Sequence, residues 1–474
     1  MNIAGRDKEV KILNKLLKAS TSRFLGITGR RRIGKTFLID SAYRTQMVFS
    51  MTGIKDGSME QQLIHFTDKL NEYSKSTNFH LPANWQEALL MLKQYLQKKK
   101  TQKKQVIFID ELPWITTPRS GFLQQLAHLW NDYLSKEKKY VLVVCGSSTS
   151  WITNKVYNDT GGLHNRVTDK INLQPFSLAE TKQFLKDKGI KLTPNAIAEI
   201  YMVCGGVPFY LDQIKKGDSP MTATGRLCFT KDGLLFTEYE NLFKAIYENP
   251  NDHESIIKTL ARHKQGLSRK ELIAKSKVDA GGPFTRAIKD LILSGYVEEQ
   301  LPFGKKKRGT IYRLLDEYCT FYHRFISHQK KLSKGIWQQL SNKQTYKVWR
   351  GYAFENLCLR HIHNIKNALG IPAVYTETYS YKQNSTTTTD GFQIDIIIDR
   401  ADNIIHLCEC KFHTSNFAIN KSYAATLRKR KAQFQSRTKT KKTVYTTIIT
   451  NYPLEENMYS KDVADMQVVL DSLF

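Results

Sequence analysis

The chain has 474 residues, of which 41% are hydrophobic and 24% are charged. This composition is typical of a globular protein and the length suits three or four domains. The absence of any apolar run near the roughly 20 residues needed to span a bilayer, and of a signal-peptide pattern at the N-terminus, predicts a cytoplasmic protein without membrane contact.

Basic residues dominate the charge balance, with 72 Lys and Arg against 44 Asp and Glu, a net charge of +28. Such an excess favours a polyanionic partner such as nucleic acid. A merely solubilising surface is the alternative. The seven cysteines include no C-x-x-C pair, so the sequence predicts neither a disulfide framework nor a zinc site.

A phosphate-binding loop is the first functional motif in chain order. Residues 29–36 read Gly-Arg-Arg-Arg-Ile-Gly-Lys-Thr, and a short apolar strand before them and a helical run after them give the context that this motif requires. Its backbone N–H groups and the following helix would bind phosphates, Lys35 would reach the β- and γ-phosphates, and Thr36 would hold Mg²⁺. The candidate nucleotide-binding residues here are Gly29, Arg30, Arg31, Arg32, Ile33, Gly34, Lys35, Thr36 and Phe37.

Further apolar strands are predicted at 47–50, 105–111 and 140–145, alternating with helices, which indicates a parallel sheet covered on both faces. The second of these strands ends in Asp110 and Glu111. Hydrolysis needs a metal-holding acid and a group that orients water, so Asp110 is the candidate Mg²⁺ ligand and Glu111 the candidate base. Helix capping is the alternative for both. Ser147, after the third strand, would sense the γ-phosphate or serve as an ordinary N-cap.

These motifs together resemble the archaeal-type ATPase family, a branch of AAA-like P-loop ATPases close to the STAND group. The matching segments are Gly5-Arg6-x-x-Glu9, the loop at 29–36, Phe108 to Trp114, Cys145 to Ser148, Arg166 and Gly205 to Pro208. The resemblance covers about residues 1–330 and implies ATP as the nucleotide. It implies that Arg6 lies near the base, that Pro208 in a helical lid touches the nucleotide, and that Arg166 contacts the γ-phosphate or a neighbouring subunit. Judged without the resemblance, Arg6 and Arg166 would be plain surface arginines.

Residues 250–315 differ in pattern from the mainly helical stretch that precedes them. Helices are predicted at 253–263, 268–276 and 283–294, followed by a hairpin with a basic tip at 304–309. Three helices and a hairpin are typical of a winged helix-turn-helix. The third helix would read DNA, although it exposes few basic residues (Arg286 and Lys289). Binding of a protein partner is the competing interpretation.

A second group of polar residues lies near the C-terminus. A predicted hairpin carries Asp395 on one strand and Glu409 and Lys411 on the next, with the last two on the same face because side chains alternate along a strand. Glu355, on an upstream amphipathic helix, could add a third carboxylate. Carboxylate oxygens suit Mg²⁺, which would activate water while Lys411 orients it or stabilises developing charge.

This group resembles the PD-(D/E)xK nuclease superfamily over about residues 345–450, at Glu355, Asp395, Glu409 and Lys411. Within that superfamily, the segment resembles the C-terminal domain of unknown function that is often fused to archaeal-type ATPases. An exposed ion pair at a sheet edge is the alternative. Residues 421–442 contain nine Lys or Arg and no acid, a helical run that would follow a phosphate backbone or form a solvated face. A polar loop is predicted at 382–390.

The sequence thus predicts an α/β protein in four parts. These are a parallel-sheet P-loop NTPase core (1–170), a helical lid (171–245), a winged helix-turn-helix (246–330) and a small α/β nuclease-like domain (331–474). The predicted function is ATP-regulated, Mg²⁺-dependent DNA processing. The alternatives are a STAND-like signalling or scaffolding ATPase and a DNA-binding regulator without cleavage. Assembly into a homo-oligomer is left open.

Overall fold

A computed structural model describes residues 3–75, 79–99, 101–117, 120–158, 161–247, 249–305, 309–329, 332–333, 335–383 and 391–474. The chain divides into two compact units, Met1–Pro175 and Phe176–Phe474. Among the described helices, none combines the length and the apolar character needed to cross a bilayer.

The first unit is built on a five-stranded sheet with the order β2-β3-β4-β1-β5, in which every pairing is parallel. Its strands are β1 (Arg23–Thr28), β2 (Met47–Thr52), β3 (Gln105–Asp110), β4 (Tyr140–Cys145) and β5 (Asp169–Asn172). Its helices are α1 (Asp7–Leu17), α2 (Lys35–Tyr43), α3 (Met59–Ser74), α4 (Trp85–Lys98), α5 (Leu112–Ile115), α6 (Phe122–Leu129) and α7 (Thr149–Ile152).

Two apolar cores cover the two faces of this sheet. Neighbouring residues of one strand enter different cores, because Phe24 belongs to the core with α3, α4 and α6, whereas Leu25 belongs to the core with α1 and α2. This is the result of side-chain alternation along strands that are buried on both faces. The prediction of a parallel sheet covered on both sides is confirmed.

The second unit begins with helices α8 to α12 and continues with three helices and a small antiparallel sheet of order β6-β8-β7. The helices in this part of the chain are α8 (Leu178–Asp187), α9 (Pro194–Cys204), α10 (Pro208–Leu211), α11 (Pro220–Cys228), α12 (Leu234–Leu242), α13 (Pro250–Arg262), α14 (Arg269–Ser276) and α15 (Gly282–Leu293). The strands are β6 (Leu267–Ser268), β7 (Val297–Gln300) and β8 (Ile311–Leu314). The predicted helical stretches are confirmed as elements. Residues 306–308 of the predicted basic tip lie outside the described residues.

The rest of the second unit carries a mixed sheet of order β13-β12-β11-β10-β9. Its strands are β9 (Thr376–Gln383), β10 (Phe392–Arg400), β11 (Ile404–Lys411), β12 (Thr443–Thr450) and β13 (Met466–Val469). The helices are α16 (Glu317–Phe321), α17 (Ile336–Asn342), α18 (Gln344–Arg360), α19 (Ile362–Ala368), α20 (Lys421–Thr438) and α21 (Met458–Val463). The predicted hairpin is confirmed, since β10 pairs antiparallel with β11.

The predicted loop at 382–390 is wrong at its start, because Lys382 and Gln383 complete β9 and pair with β10. Its remainder, residues 384–390, lies outside the described residues. The connection after β7 is fastened to the mixed sheet, where Phe303 donates its backbone N–H to the Ser380 carbonyl at 2.9 Å. One apolar cluster runs from Phe176 to Leu473. The division of this unit into lid, winged helix and nuclease-like domain stays a prediction.

Candidate functional site

Two glycines of the loop between β1 and α2 adopt backbone conformations that other residues rarely adopt. Gly29 has φ +142°, and a Cβ there would lie 2.5 Å from the Leu173 carbonyl oxygen. Gly34 has φ 86° and precedes the first residue of α2, in the left-handed region that side chains other than glycine rarely adopt. The two glycines therefore allow a tight turn in which backbone N–H groups can face a ligand at the start of a helix.

Lys35 is buried and its ammonium group contacts the loop itself. It donates to the carbonyl oxygens of Gly29 at 2.9 Å and Arg30 at 3.1 Å, and to Ser147 Oγ at 3.4 Å. These partners are neutral, so an anion at the loop would bind the same ammonium group more strongly. The structure thus places Lys35 where the sequence predicted a phosphate-binding cation.

Thr36 and Asp110 meet although 74 positions separate them. Thr36 Oγ1 donates to Asp110 Oδ2 at 2.6 Å, and Asp110 Oδ1 accepts from the Glu111 N–H at 2.8 Å. Asp110 also accepts from the Cys145 thiol at 2.5 Å. A hydroxyl and a carboxylate in contact at the end of a buried strand form an oxygen donor pair of the kind that Mg²⁺ uses in phosphate-transferring proteins.

Glu111 has φ 46°, in the left-handed region, and makes no side-chain capping bond to the helix that follows it. Its carboxylate instead accepts from the Ser147 N–H at 2.9 Å and from the Ser147 hydroxyl. Ser148, at the N-cap of α7, also makes no side-chain cap. Helix capping therefore does not explain why Glu111 or Ser147 occupies its position. The two residues are hydrogen-bonded to each other beside Lys35.

Other predicted nucleotide contacts have different surroundings. Arg6 is buried and donates to the carbonyls of Ile33 at 3.0 Å and Gln174 at 2.8 Å, so it fixes the loop backbone. Phe37 and Arg166 are exposed, the latter in a turn. Pro208 begins α10 in the second unit.

The second unit brings the other predicted polar residues together. Glu355 from α18, Asp395 from β10, and Glu409 and Lys411 from β11 line one cavity of about 350 Å³. Asp395 accepts from the Cys410 N–H at 2.9 Å. Burial, with the neighbouring Glu355 and Glu409, holds the pKa of Asp395 well above its usual range, as expected for carboxylates sharing a dry site.

Glu409 is surrounded by donors. Lys411 Nζ lies 2.8 Å from Oε1, the Tyr423 hydroxyl donates to Oε1 at 2.7 Å, and Arg430 donates to Oε2 at 2.8 Å. Burial alone would raise the pKa of Glu409, but Lys411 and Arg430 outweigh burial and lower it. Within the described ranges, no group of three or more His, Cys, Asp or Glu lies close enough to hold a metal ion.

Two residues of this site were missed by the sequence analysis. Arg430 lies seven positions after Tyr423 on α20, so helical periodicity could have placed both on the face toward Glu409. Arg313 on β8 donates to Glu355 Oε2 at 3.2 Å, and both side chains are buried. Burial raises the pKa of Glu355, and Arg313 partly offsets that effect. No local pattern in the sequence signals this contact, which joins residues 42 positions apart.

Comparison with known proteins supports an ATPase domain in the N-terminal part of the chain. Residues 3–214 match the family described as ATPase domains predominantly from Archaea. An uncharacterized protein of Methanocaldococcus jannaschii, MJECL04, is 25% identical over 379 residues, which are 77% of this chain and 79% of that protein. The similarity therefore extends beyond the ATPase domain.

One solved structure supports the fold, and a second is similar at a lower score. The Walker-type ATPase PABY2304 of Pyrococcus abyssi has a TM-score of 0.50 at 17% identity, over 68% of this chain and 96% of that chain. The ORC2 protein of Aeropyrum pernix has a TM-score of 0.44 at 14% identity, over 72% and 96% respectively. With the parallel sheet and the matched family, the chain is an ATPase with a P-loop NTPase core.

Proposed function

We propose that this ATPase is a DNA-processing protein whose C-terminal residues act as a Mg²⁺-dependent nuclease. The observation that carries the proposal is the convergence of Glu355, Asp395, Glu409 and Lys411, from three separate elements, on one cavity. Acidic groups in a concave site can hold a metal ion for phosphodiester hydrolysis, and a lysine beside them can stabilise the charge that develops on the phosphate.

In the ATPase site, phosphate oxygens of ATP would replace the loop carbonyls as the acceptors of the Lys35 ammonium group. Thr36 and Asp110 would hold Mg²⁺, which when bound neutralises charge on the phosphates. Glu111 would orient the attacking water once its carboxylate separates from Ser147. Arg166 and Pro208 are proposed as further contacts to the nucleotide on the strength of the resemblance alone.

In the C-terminal cavity, Asp395 and Glu409 would hold the metal. Glu355 would supply a third carboxylate only after a local rearrangement, because the three carboxylates do not lie close enough together in this structure to hold an ion. The metal, when bound, polarises the scissile phosphate and acidifies a water molecule. Lys411, whose charge is stabilised by Glu409 at 2.8 Å, would orient that water or stabilise charge on the phosphate. Burial raises the pKa of Asp395, and a bound cation would act in the opposite direction by favouring its ionised form.

DNA would be bound by basic elements of the second unit. Helices α13 to α15 with the sheet β6-β8-β7 have the element order of a winged helix-turn-helix, and Arg286 and Lys289 on α15 are exposed. Helix α20, within the basic run at 421–442, contributes Arg430 to the cavity. A backbone phosphate at the cavity could therefore meet positive charge on the same helix that contacts Glu409.

A second function is favoured by one observation. Both carboxylate oxygens of Glu409 already accept hydrogen bonds from Lys411, Tyr423 or Arg430, an arrangement that would also suit a purely structural ion network. In that case the chain is a DNA- or partner-binding ATPase that cuts nothing.

Incubation of the purified chain with plasmid, with and without ATP and Mg²⁺, separates the two functions. The nuclease predicts Mg²⁺-dependent nicking that Lys411→Ala abolishes, whereas Lys461→Ala, which changes an exposed lysine, leaves it intact. Lys35→Ala should abolish ATP hydrolysis in either case. Intact plasmid under all conditions, with hydrolysis and DNA retention preserved, would establish the second function instead.

A further inference from the structure

A second, smaller cavity lies next to the carboxylate cavity and is lined by three basic side chains. Lys264 follows α13, Arg313 lies on β8, and Arg324 follows α16. Its volume is about 30 Å³, and since one water needs about 10–15 Å³ by this measure, the cavity has room for about two oxygens, such as the two non-bridging oxygens of a backbone phosphate. Tyr352 on α18 lines both cavities.

The donors of this small cavity are incompletely used. Arg313 is buried and donates one nitrogen to Glu355, but its Nε has no hydrogen-bond partner among the described residues. A buried guanidinium N–H without an acceptor is destabilising. An acceptor from outside the chain would remove this deficit.

Positive charge is also poorly compensated at this place. Lys264 lies over the Tyr352 ring, 3.6 Å from its centroid. Burial and, to a smaller extent, Arg324 together lower the pKa of Lys264 to about 8, against an opposite effect of Glu355. Without a ligand, burial and the neighbouring Arg324 disfavour the charged form of Lys264. A bound anion would stabilise that charged form.

We propose that Lys264, Arg313 and Arg324 form a phosphate-binding site that takes a backbone phosphate of DNA next to the one positioned for cleavage. The inference rests on the proposed nuclease function for its biological meaning, but not for the binding itself. Arg313 connects the two cavities directly, because its guanidinium contacts Glu355 of the carboxylate cavity. A phosphate held here would fix the register of the strand relative to Asp395 and Glu409.

The test measures binding of a labelled 20-base-pair duplex to the full chain, without Mg²⁺ and with a non-hydrolysable ATP analogue throughout. The double variant Lys264→Gln, Arg324→Gln leaves the Arg313–Glu355 pair intact. We expect its Kd for duplex to rise about tenfold and the slope of log Kd against log salt to fall by about one, the effect of one lost phosphate contact. The control is Lys191→Gln, Lys215→Gln, which removes two exposed charges elsewhere in the same unit.

A rise in Kd no larger than that of the control would overturn the proposal. Binding of inorganic phosphate, measured by calorimetry without DNA, distinguishes the source of the ligand. If the cavity variant loses phosphate binding while its Kd for duplex is unchanged, the site takes free phosphate and the backbone assignment is wrong. Because binding is measured without Mg²⁺, a tenfold loss of affinity in a chain that never cuts plasmid would support this site and reject the nuclease.

Discussion

At the scale of single residues, the reactive groups of both sites are held by partners from the chain itself. Lys35 contacts carbonyls of its own loop, Glu111 contacts Ser147, and Glu409 contacts Lys411 and Arg430. A ligand can replace these internal partners. A phosphate can replace the carbonyls that contact Lys35, and a metal ion can replace the cations that contact Glu409. Ligand binding at these sites is therefore a competition, and removing the internal competitor should strengthen it.

Arg430 offers the clearest test of this competition. Its guanidinium lies 2.8 Å from Glu409 Oε2, and a charge-assisted bond of this kind contributes about 1.5–3 kcal/mol. We expect Arg430→Gln to tighten Mn²⁺ binding at the C-terminal cavity about tenfold, measured by calorimetry without nucleotide. Glu409→Gln should remove the same binding event, which identifies it.

The matched control is Arg428→Gln on the same helix, since Arg428 pairs with Asp462 rather than Glu409. Equal Mn²⁺ affinities in wild type, Arg428→Gln and Arg430→Gln would mean that Arg430 does not compete with the ion.

At the scale of elements, local patterns were enough to predict the helices and strands that carry the sites. Buried strands followed by Asp110 or Ser147, and alternation that places Glu409 beside Lys411, are short-range features. What could not be predicted depends on long-range pairing. Strand β9 is largely polar and half-buried, without a clear alternation of buried and exposed residues, and its pairing with β10 depends on residues distant in sequence. The Arg313–Glu355 contact needs β8 and α18 to pack together.

Helices α8 and α18 are joined by a histidine that must stay neutral. His361 is buried. Its Nε2 accepts from the Leu178 N–H at 3.0 Å, and its Nδ1–H donates to the Leu357 carbonyl at 2.9 Å. Burial and, to a smaller extent, Arg360 together lower its pKa to about 4, against an opposite effect of the bond to Leu357. A proton on Nε2 would face the N–H groups at the start of α8, which carry positive charge of their own.

The sign of the pH effect follows from this pKa. Above the unfolded value near 6.5 both states are neutral and the contribution is complete; as pH falls toward 4, only the unfolded state takes up the proton, so stability is lost. Between pH 7 and 5 we expect His361 to contribute a loss of about 2 kcal/mol, read from hydrogen exchange of the α18 amides. His323 and His406, whose pKa values burial also lowers to about 4, add to the total loss. His361→Gln should therefore lose less stability than wild type by about this amount, and His363→Gln, an exposed neighbour, should lose as much as wild type. An unchanged profile in His361→Gln would assign the effect to another group.

At the scale of the whole molecule, the phosphate-binding loop lies in one compact unit, and the carboxylate cavity and the small basic cavity lie in the other. The loop at 29–36 belongs to Met1–Pro175, and the cavities belong to Phe176–Phe474. A nucleotide can regulate DNA processing only if it binds with different affinity to the conformations that bind DNA well and poorly. Sequence patterns describe each unit but contain no measure of this difference.

Coupling between the units has a quantitative signature. We expect the Kd for duplex DNA to differ between the ATP-analogue and ADP states by about five- to hundredfold, the usual range of coupling between sites. By linkage, duplex DNA must then change the ratio of the two nucleotide affinities by the same factor, which calorimetry of both reactions checks. Lys35→Ala should abolish the nucleotide effect and leave the Kd of the nucleotide-free chain for DNA unchanged. Identical DNA affinities in all nucleotide states would make the two units independent, and ATP hydrolysis would then act on something other than DNA binding.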